Sequence, residues 1–220
     1  MQGLYFEFEG VDGCGKSTIL GEVAEKLRVL DIPVLVTREP GSPLDPVTKN
    51  IREMLKWGDT EKPCPEAELY LFAADRAQHI NRVIKPALKA GKVVLQDRGI
   101  WSTVAYQGDG RGQSIDLIWQ MNDFSTSGLN PHAIFFIDTP LDVTLKRARR
   151  GREDQIETFS HEEFQRKVYD SYQKLAAYYK ESAVKRLSGT HTIGELTEEV
   201  LDYILAAIAR GFLPSAVSVR

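Results

Sequence analysis

The run Gly10-Val11-Asp12-Gly13-Cys14-Gly15-Lys16-Ser17 fits the spacing G-x-x-x-x-G-K-[ST], and Thr18 continues it into a helix start. Glycines at these positions let successive backbone N–H groups converge on phosphate oxygens, and the dipole of the following helix adds to the attraction. Lys16 supplies a point charge for the outer phosphates, and the Ser17 hydroxyl suits a hard cation such as Mg²⁺. Residues Gly10 to Thr18 are therefore expected to cradle a nucleoside triphosphate. Gly13 brings no charge, so the loop must borrow another cation to neutralise a transition state.

Further chemistry-bearing residues are scattered along the chain. Arg38 runs into Glu39-Pro40-Gly41, a turn that could hold a guanidinium for bidentate grip on an anion. An Arg38–Glu39 surface pair is the plainer alternative. Asp97 could hold Mg²⁺ through water, with Arg98 neutralising a transferred phosphoryl group; a simple ion pair is again the alternative. Phe72 and Arg76 stand four apart on one helix face, a spacing that suits a flat heterocycle, although a lone aromatic is more often core. Tyr106-Gln107-Gly108-Asp109-Gly110-Arg111-Gly112 reads as a glycine-studded loop, either closing a pocket or forming a surface turn. The basic run from Arg147 through Arg149, Arg150 and Arg152 reads as a solvated face or as a mobile lid whose arginines reach the phosphates.

The elements that must position these groups alternate strand and helix. Strand-like runs are Leu4 to Glu9, Pro33 to Thr37, Lys92 to Asp97 and His132 to Asp138, with a weaker fifth from Ala183 to Leu187. Continuous apolar runs suit strands buried on both faces of a parallel sheet, and the intervening stretches are long enough for crossover helices. The phosphate loop, Arg38 and Asp97-Arg98 then fall at the carboxyl ends of strands, where such sheets bind ligands. A single α/β domain spanning 1–220 is expected, with a lid around 147–158.

Bulk properties exclude other classes. A chain of 220 residues with 42% hydrophobic and 27% charged residues has the balance of an ordinary soluble domain. A net charge of -3 offers no global attraction to nucleic acid or anionic membrane. Two cysteines, Cys14 inside the phosphate loop and Cys64, argue for a reducing, cytoplasmic setting rather than a disulfide framework. No signal peptide is expected before the first strand. The apolar stretch Tyr203 to Ala209 is too short to span a bilayer and is expected to be a core-facing helix.

Five pieces in order resemble one family, the thymidylate kinases. They are Phe8 to Thr18, Thr37-Arg38-Glu39-Pro40-Gly41, Phe72-Ala73-Ala74-Asp75-Arg76, Asp97-Arg98, and Ser102-Thr103-Val104-Ala105-Tyr106-Gln107-Gly108. The likeness is to the bacterial type, with glycine in the phosphate loop and catalytic arginines in the lid. It implies a P-loop nucleoside-monophosphate-kinase fold, a parallel sheet of about five strands flanked by helices. It also implies ATP-dependent phosphorylation of dTMP to dTDP with Mg²⁺, in a homodimer packed through long helices.

By the same resemblance, Asp12 accepts from the deoxyribose 3′-hydroxyl, and Arg38 and Arg98 hold the dTMP phosphate. Phe72 stacks on thymine, Arg76 donates to a ring carbonyl, Tyr106 crowds the sugar 2′ position, and Gln107 lines the base site. Lys16, Asp12 and Arg98 join Arg149, Arg150 and Arg152 as the catalytic set; Ser17 and Asp97 are the metal-holding pair. The bacterial lid carries Asp-Arg where this chain has Asp154-Gln155, and Leu187-Ser188-Gly189-Thr190 departs from the family's strand end near adenine, so no adenine contact is assigned. The alternatives are another nucleoside- or deoxynucleoside-monophosphate kinase, or a P-loop GTPase switch. The last needs an Asn-Lys-x-Asp motif that this chain lacks.

Overall fold

The computed structural model describes residues 3–56, 63–148, 162–179 and 183–211. Its elements are β1 (Leu4–Glu9), α1 (Lys16–Val29), β2 (Val34–Arg38), α2 (Pro46–Leu55), α3 (Pro65–His79), α4 (Lys85–Lys89), β3 (Val93–Asp97) and α5 (Ile100–Thr103). They continue as α6 (Ile115–Thr126), β4 (Ala133–Asp138), α7 (Leu141–Ala148), α8 (Glu162–Tyr178), β5 (Val184–Ser188) and α9 (Ile193–Ala209). The five strands form one sheet in the order β2-β3-β1-β4-β5, and every neighbouring pair is parallel. The weaker fifth run is a genuine strand, registered on β4 with Val184 opposite Ile134. β2 starts at Val34 rather than Pro33, whose nitrogen carries no hydrogen for the ladder.

β1 carries two carboxylates in Leu-Tyr-Phe-Glu-Phe-Glu, and all six residues are buried, as expected for a strand covered on both faces. Phe6 and Phe8 join the main core with Ile19, Val23 and Leu27 of α1, Phe135 of β4, and Val200 and Ile204 of α9. Tyr5 faces the other way into a smaller cluster with Ile80, Ile84 and Val94. Glu7 and Glu9, on the Tyr5 side, are 3% and 0% exposed. Buried carboxylates need partners: those of Glu9 lie in the site described below, whereas Glu7 accepts from Tyr5 OH at 2.6 Å through Oε1 and its Oε2 has none among the described residues.

The segment from Tyr106 onward is not the loop expected from its glycines. Val104–Gly110 is a wide-turned π-helix running on from α5, with Tyr106 and Gln107 buried. Its glycines serve close packing. A Cβ at Gly108 would lie 2.4 Å from Ile115 Cδ1, and one at Gly110 would lie 2.7 Å from Phe164 Cε2. A second π-turn, Ile80–Ile84, joins α3 to α4. Such turns are rare and recur at functional sites.

The C-terminal apolar stretch lies in α9 as expected, with Ile204 and Ala207 buried. Thr192 and Glu195 close a reciprocal capping box at its start, satisfying two otherwise unpaired N–H groups. Among the described residues no helix is long and apolar enough to cross a membrane.

Candidate active site

The phosphate loop bends through three left-handed glycines, Gly10, Gly13 and Gly15, at φ 145°, 79° and 101°. Only glycine takes such angles without strain. Val11 and Cys14 turn their side chains into the core, so what they can offer a ligand is backbone N–H. Burial pushes the Cys14 thiol above its ordinary range. α1 begins at Lys16 without a side-chain cap, leaving its first N–H groups to an anion.

Ser17 at the start of α1 donates its hydroxyl hydrogen to Asp97 Oδ2 at the end of β3. Asp97 Oδ1 is buried without a partner. The Ser17 hydroxyl and the Asp97 carboxylate, with its orphaned Oδ1, form a hard-oxygen donor set that fits Mg²⁺. The described residues hold no group of three or more His, Cys, Asp or Glu suited to a metal. Mg²⁺ commonly completes so small a protein donor set with phosphate oxygens and water.

Arg98, next after Asp97, sits at φ 67°, a left-handed conformation costing a non-glycine residue about 1–2 kcal/mol. Its N–H bonds to Phe8 O of neighbouring β1 at 2.9 Å, and its carbonyl accepts from Gln96 Nε2 of its own strand at 2.8 Å, so both backbone groups of the bend are held. The guanidinium turns inward, pairs with Asp12, and bonds Ser102 Oγ and Tyr106 OH at 3.1 Å each. It also lies 4.9 Å from the Tyr106 ring centroid. Lys16 Nζ is 3.7 Å from the same Asp12 oxygen. Although burial opposes ionisation, the charges of Arg98 and Lys16 hold Asp12 below its ordinary pKa, and Asp12 raises that of Arg98. Asp12 and Arg98 stay charged.

Beneath this pair, Glu9 accepts from Gly99 N at 2.8 Å, Ser102 N at 3.1 Å, Ser102 Oγ at 2.7 Å and Tyr172 OH at 2.8 Å. β1 therefore anchors the start of α5.

Arg76 is buried and held by four interactions. Nε donates to Glu39 Oε2 at 2.9 Å, Nη1 to Asn122, and Nη2 to Gly99 O and Thr103 Oγ1 at 3.0 Å each. Glu39 is also 3.1 Å from His79 Nδ1. Hence Glu39 is no surface partner of Arg38; it is a buried anchor for Arg76, and Arg38 Nε bonds Gly41 O at 3.3 Å instead. Likewise Arg98 pairs with Asp12 rather than with adjacent Asp97.

Arg38, Phe72, Arg76, Arg98, Tyr106 and Gln107 all line one cleft of about 260 Å³, together with Asp12, Lys16, Ser17 and Asp97. Phe72 is half-buried rather than core. A second cleft, of about 570 Å³, runs from Gly13 through Thr18 to Arg147 and to Gly189, His191, Thr192 and Ile193 after β5. Lys16 and Ser17 belong to both clefts. Arg149, Arg150, Arg152 and most of the expected lid lie outside the described residues.

Several site-lining residues escaped the motif reading. Glu39 and Thr103 were visible only as members of longer motifs. Arg52 reaches the first cleft from α2 through Pro40 O at 2.8 Å, with no local signal. The residues after β5 could have been found by the rule that selected the other strand ends.

A phosphate loop at the carboxyl edge of a parallel sheet, shared by two clefts, defines a P-loop phosphotransferase of the nucleoside-monophosphate-kinase fold. The family model described as thymidylate kinase matches residues 8–200. The chain belongs to the thymidylate kinase family. It is 40% identical over 216 residues to a thymidylate kinase of Geotalea uraniireducens, covering 95% of this chain and 100% of that relative. It is 38% identical over 204 residues to one of Lactobacillus acidophilus, covering 91% and 93%. The crystal structure of thymidylate kinase from Ehrlichia chaffeensis superposes with a TM-score of 0.74 at 28% identity, covering 93% of this chain and 100% of that one.

Proposed function

We propose that this enzyme transfers the γ-phosphoryl group of ATP to dTMP, forming dTDP for dTTP synthesis. The observation that carries the reading is the meeting of two clefts at Lys16 and Ser17. One cleft has the loop N–H groups for a triphosphate; the other has arginines, an aromatic and an amide for a nucleotide acceptor.

On this reading the loop from Gly10 to Thr18 holds the donor phosphates, and Lys16 neutralises their outer oxygens. Ser17 and Asp97 would hold Mg²⁺, which when bound supplies charge neutralisation on the phosphates. Arg38 and Arg98 grip the acceptor phosphate, whose own oxygen is the nucleophile, so no covalent enzyme intermediate is needed. Asp12, ionised and fixed by Arg98, accepts from the 3′-hydroxyl, while the Tyr106 ring stands against a 2′ substituent. Phe72 faces the base and Arg76 donates to a base carbonyl. Arg149, Arg150 and Arg152 supply the cation that Gly13 cannot. Positioning and charge neutralisation for in-line transfer account for the rate.

A single domain with an arginine lid over 147–158 completes the proposal. Exposed Leu44, Val47, Met54, Tyr70, Leu117 and Phe124, on or beside α2, α3 and α6, support a homodimer packed through those helices. Cytoplasmic operation fits free Cys14 and Cys64.

Incubating the purified protein with ATP, Mg²⁺ and a panel of nucleoside monophosphates tests the reading. The highest kcat/KM is expected for dTMP. Faster turnover of dCMP, UMP, AMP or GMP would overturn the substrate assignment.

A further inference from the structure

We propose that Glu68 is a positioning residue: it fixes which end of the Gln107 side-chain amide faces the base, and so sets selectivity for thymine over cytosine. This rests on the dTMP reading above and deepens it.

Glu68, Phe72 and Arg76 lie four residues apart along one face of α3, spaced by about 6 Å per step. Phe72 and Arg76 line the acceptor cleft directly, but Glu68 does not. Its carboxylate, 8% exposed, instead meets Gln107. Gln107 Nε2 donates to Glu68 Oε1 at 2.6 Å. Arg111 Nε donates to the same oxygen at 2.9 Å, and its guanidinium lies 5.6 Å from the Phe164 ring centroid.

A carboxylate only accepts, so the amide nitrogen alone can face it. Gln107 Oε1 must then point away from Glu68, and it has no partner among the described residues, while Gln107 lines the cleft. Arg76 can only donate, and four of its five N–H groups are held by the protein. The cleft therefore offers a donor from Arg76 and an acceptor from Gln107. A thymine edge, with a carbonyl beside a ring N–H, complements that pair. A cytosine edge, with an amino group beside an unprotonated ring nitrogen, opposes both members. Were the amide reversed, its NH₂ would face the ring nitrogen and half of the discrimination would invert. Glu68 forbids that reversal, because two oxygens would then meet.

Glu68→Gln tests this without opening a hole, since a glutamine can partner either orientation of Gln107. The kcat/KM ratio of dTMP to dCMP is expected to fall at least about tenfold, with the KM for ATP unchanged. A ratio within about twofold of wild type, or an equal loss on both substrates, would overturn the proposal. In a Gln107→Leu background no amide remains to orient, so Glu68→Gln should leave the ratio unchanged; a further fall there also counts against it. If Glu68→Gln does not fold, Gln107→Leu alone must cost the ratio by at least the same factor, and an unchanged ratio overturns the role. Wild-type enzyme preferring dCMP would sink the dTMP reading as well, whereas a dTMP preference that survives Glu68→Gln sinks only the role of Glu68.

Discussion

Replacing Glu7 by glutamine should remove a pH-dependent loss of stability near neutrality. Glu7 is 3% exposed; Tyr5 OH donates to its Oε1 at 2.6 Å, and its Oε2 is buried without a partner. Burial, helped by the nearby charge of Glu9, raises its carboxyl from 4.5 to about 8. An unfolded chain releases this proton near the lower value, so across that window the folded state holds one proton more. The associated stability is full below the unfolded pKa and is lost as pH rises, by up to about 1.4 kcal/mol per pH unit. Between pH 5 and pH 8 the loss integrates to about 3 kcal/mol. Asp75 is raised by burial with the same sign, and His132 is lowered with the opposite sign, but both remain in the variant and cancel in the comparison. Asp12 and Glu39 are lowered, so their contributions are lost only in acid, below this window. Urea unfolding of wild type and Glu7→Gln at pH 5, 6, 7 and 8 gives the test. Relative to wild type, the variant should gain about 3 kcal/mol across that range. Parallel stability curves would refute the claim that Glu7 is folded into the protein as an uncharged acid.

Two further outcomes follow from local geometry. Asp97→Asn keeps an acceptor for the Ser17 hydroxyl but removes the negative charge at the orphaned oxygen; kcat should fall about tenfold or more and half-saturation by Mg²⁺ should move upward, read from Mg²⁺ titrations of the kinase rate. Unchanged Mg²⁺ dependence would remove Asp97 from the metal site. In Gly189→Ala the new Cβ would lie 1.8 Å from Thr139 Oγ1, a group that bonds Cys14 O at 3.2 Å; thermal unfolding should show a loss of about 2 kcal/mol or more, and ATP binding should weaken more than dTMP binding. Equal Tm values would show that the backbone there yields at no cost.

Much of the fold was legible because its signals are local. A glycine loop between an apolar strand and a helix start has one good structural solution, and strand-like runs separated by helical lengths imply a parallel sheet. The Tyr106 segment was misread because glycine is ambiguous in sequence. It marks a turn where the backbone needs positive φ, but at Gly108 and Gly110 it makes room for Ile115 and Phe164, which come from elsewhere in the chain. Glu39 was equally opaque: nothing near it foretells His79 and Arg76, some forty residues on, as its partners.

By itself the sequence determined what the phosphate loop must do, the class of sheet that carries it, and the family, since each rests on residue types at short, fixed spacing. Only the tertiary structure decided how those parts face one another. Sheet order β2-β3-β1-β4-β5 sets β1 beside β3, bringing Ser17 to Asp97 and Asp12 to Arg98 across 80 and 86 residues. It also decided how Glu7 and Glu9, the two charged residues of a strand expected to be buried on both faces, are accommodated there at 3% and 0% exposure. The reason is physical: hydrogen bonds and charge act through distance and dielectric, and both are properties of packing that no local spacing contains.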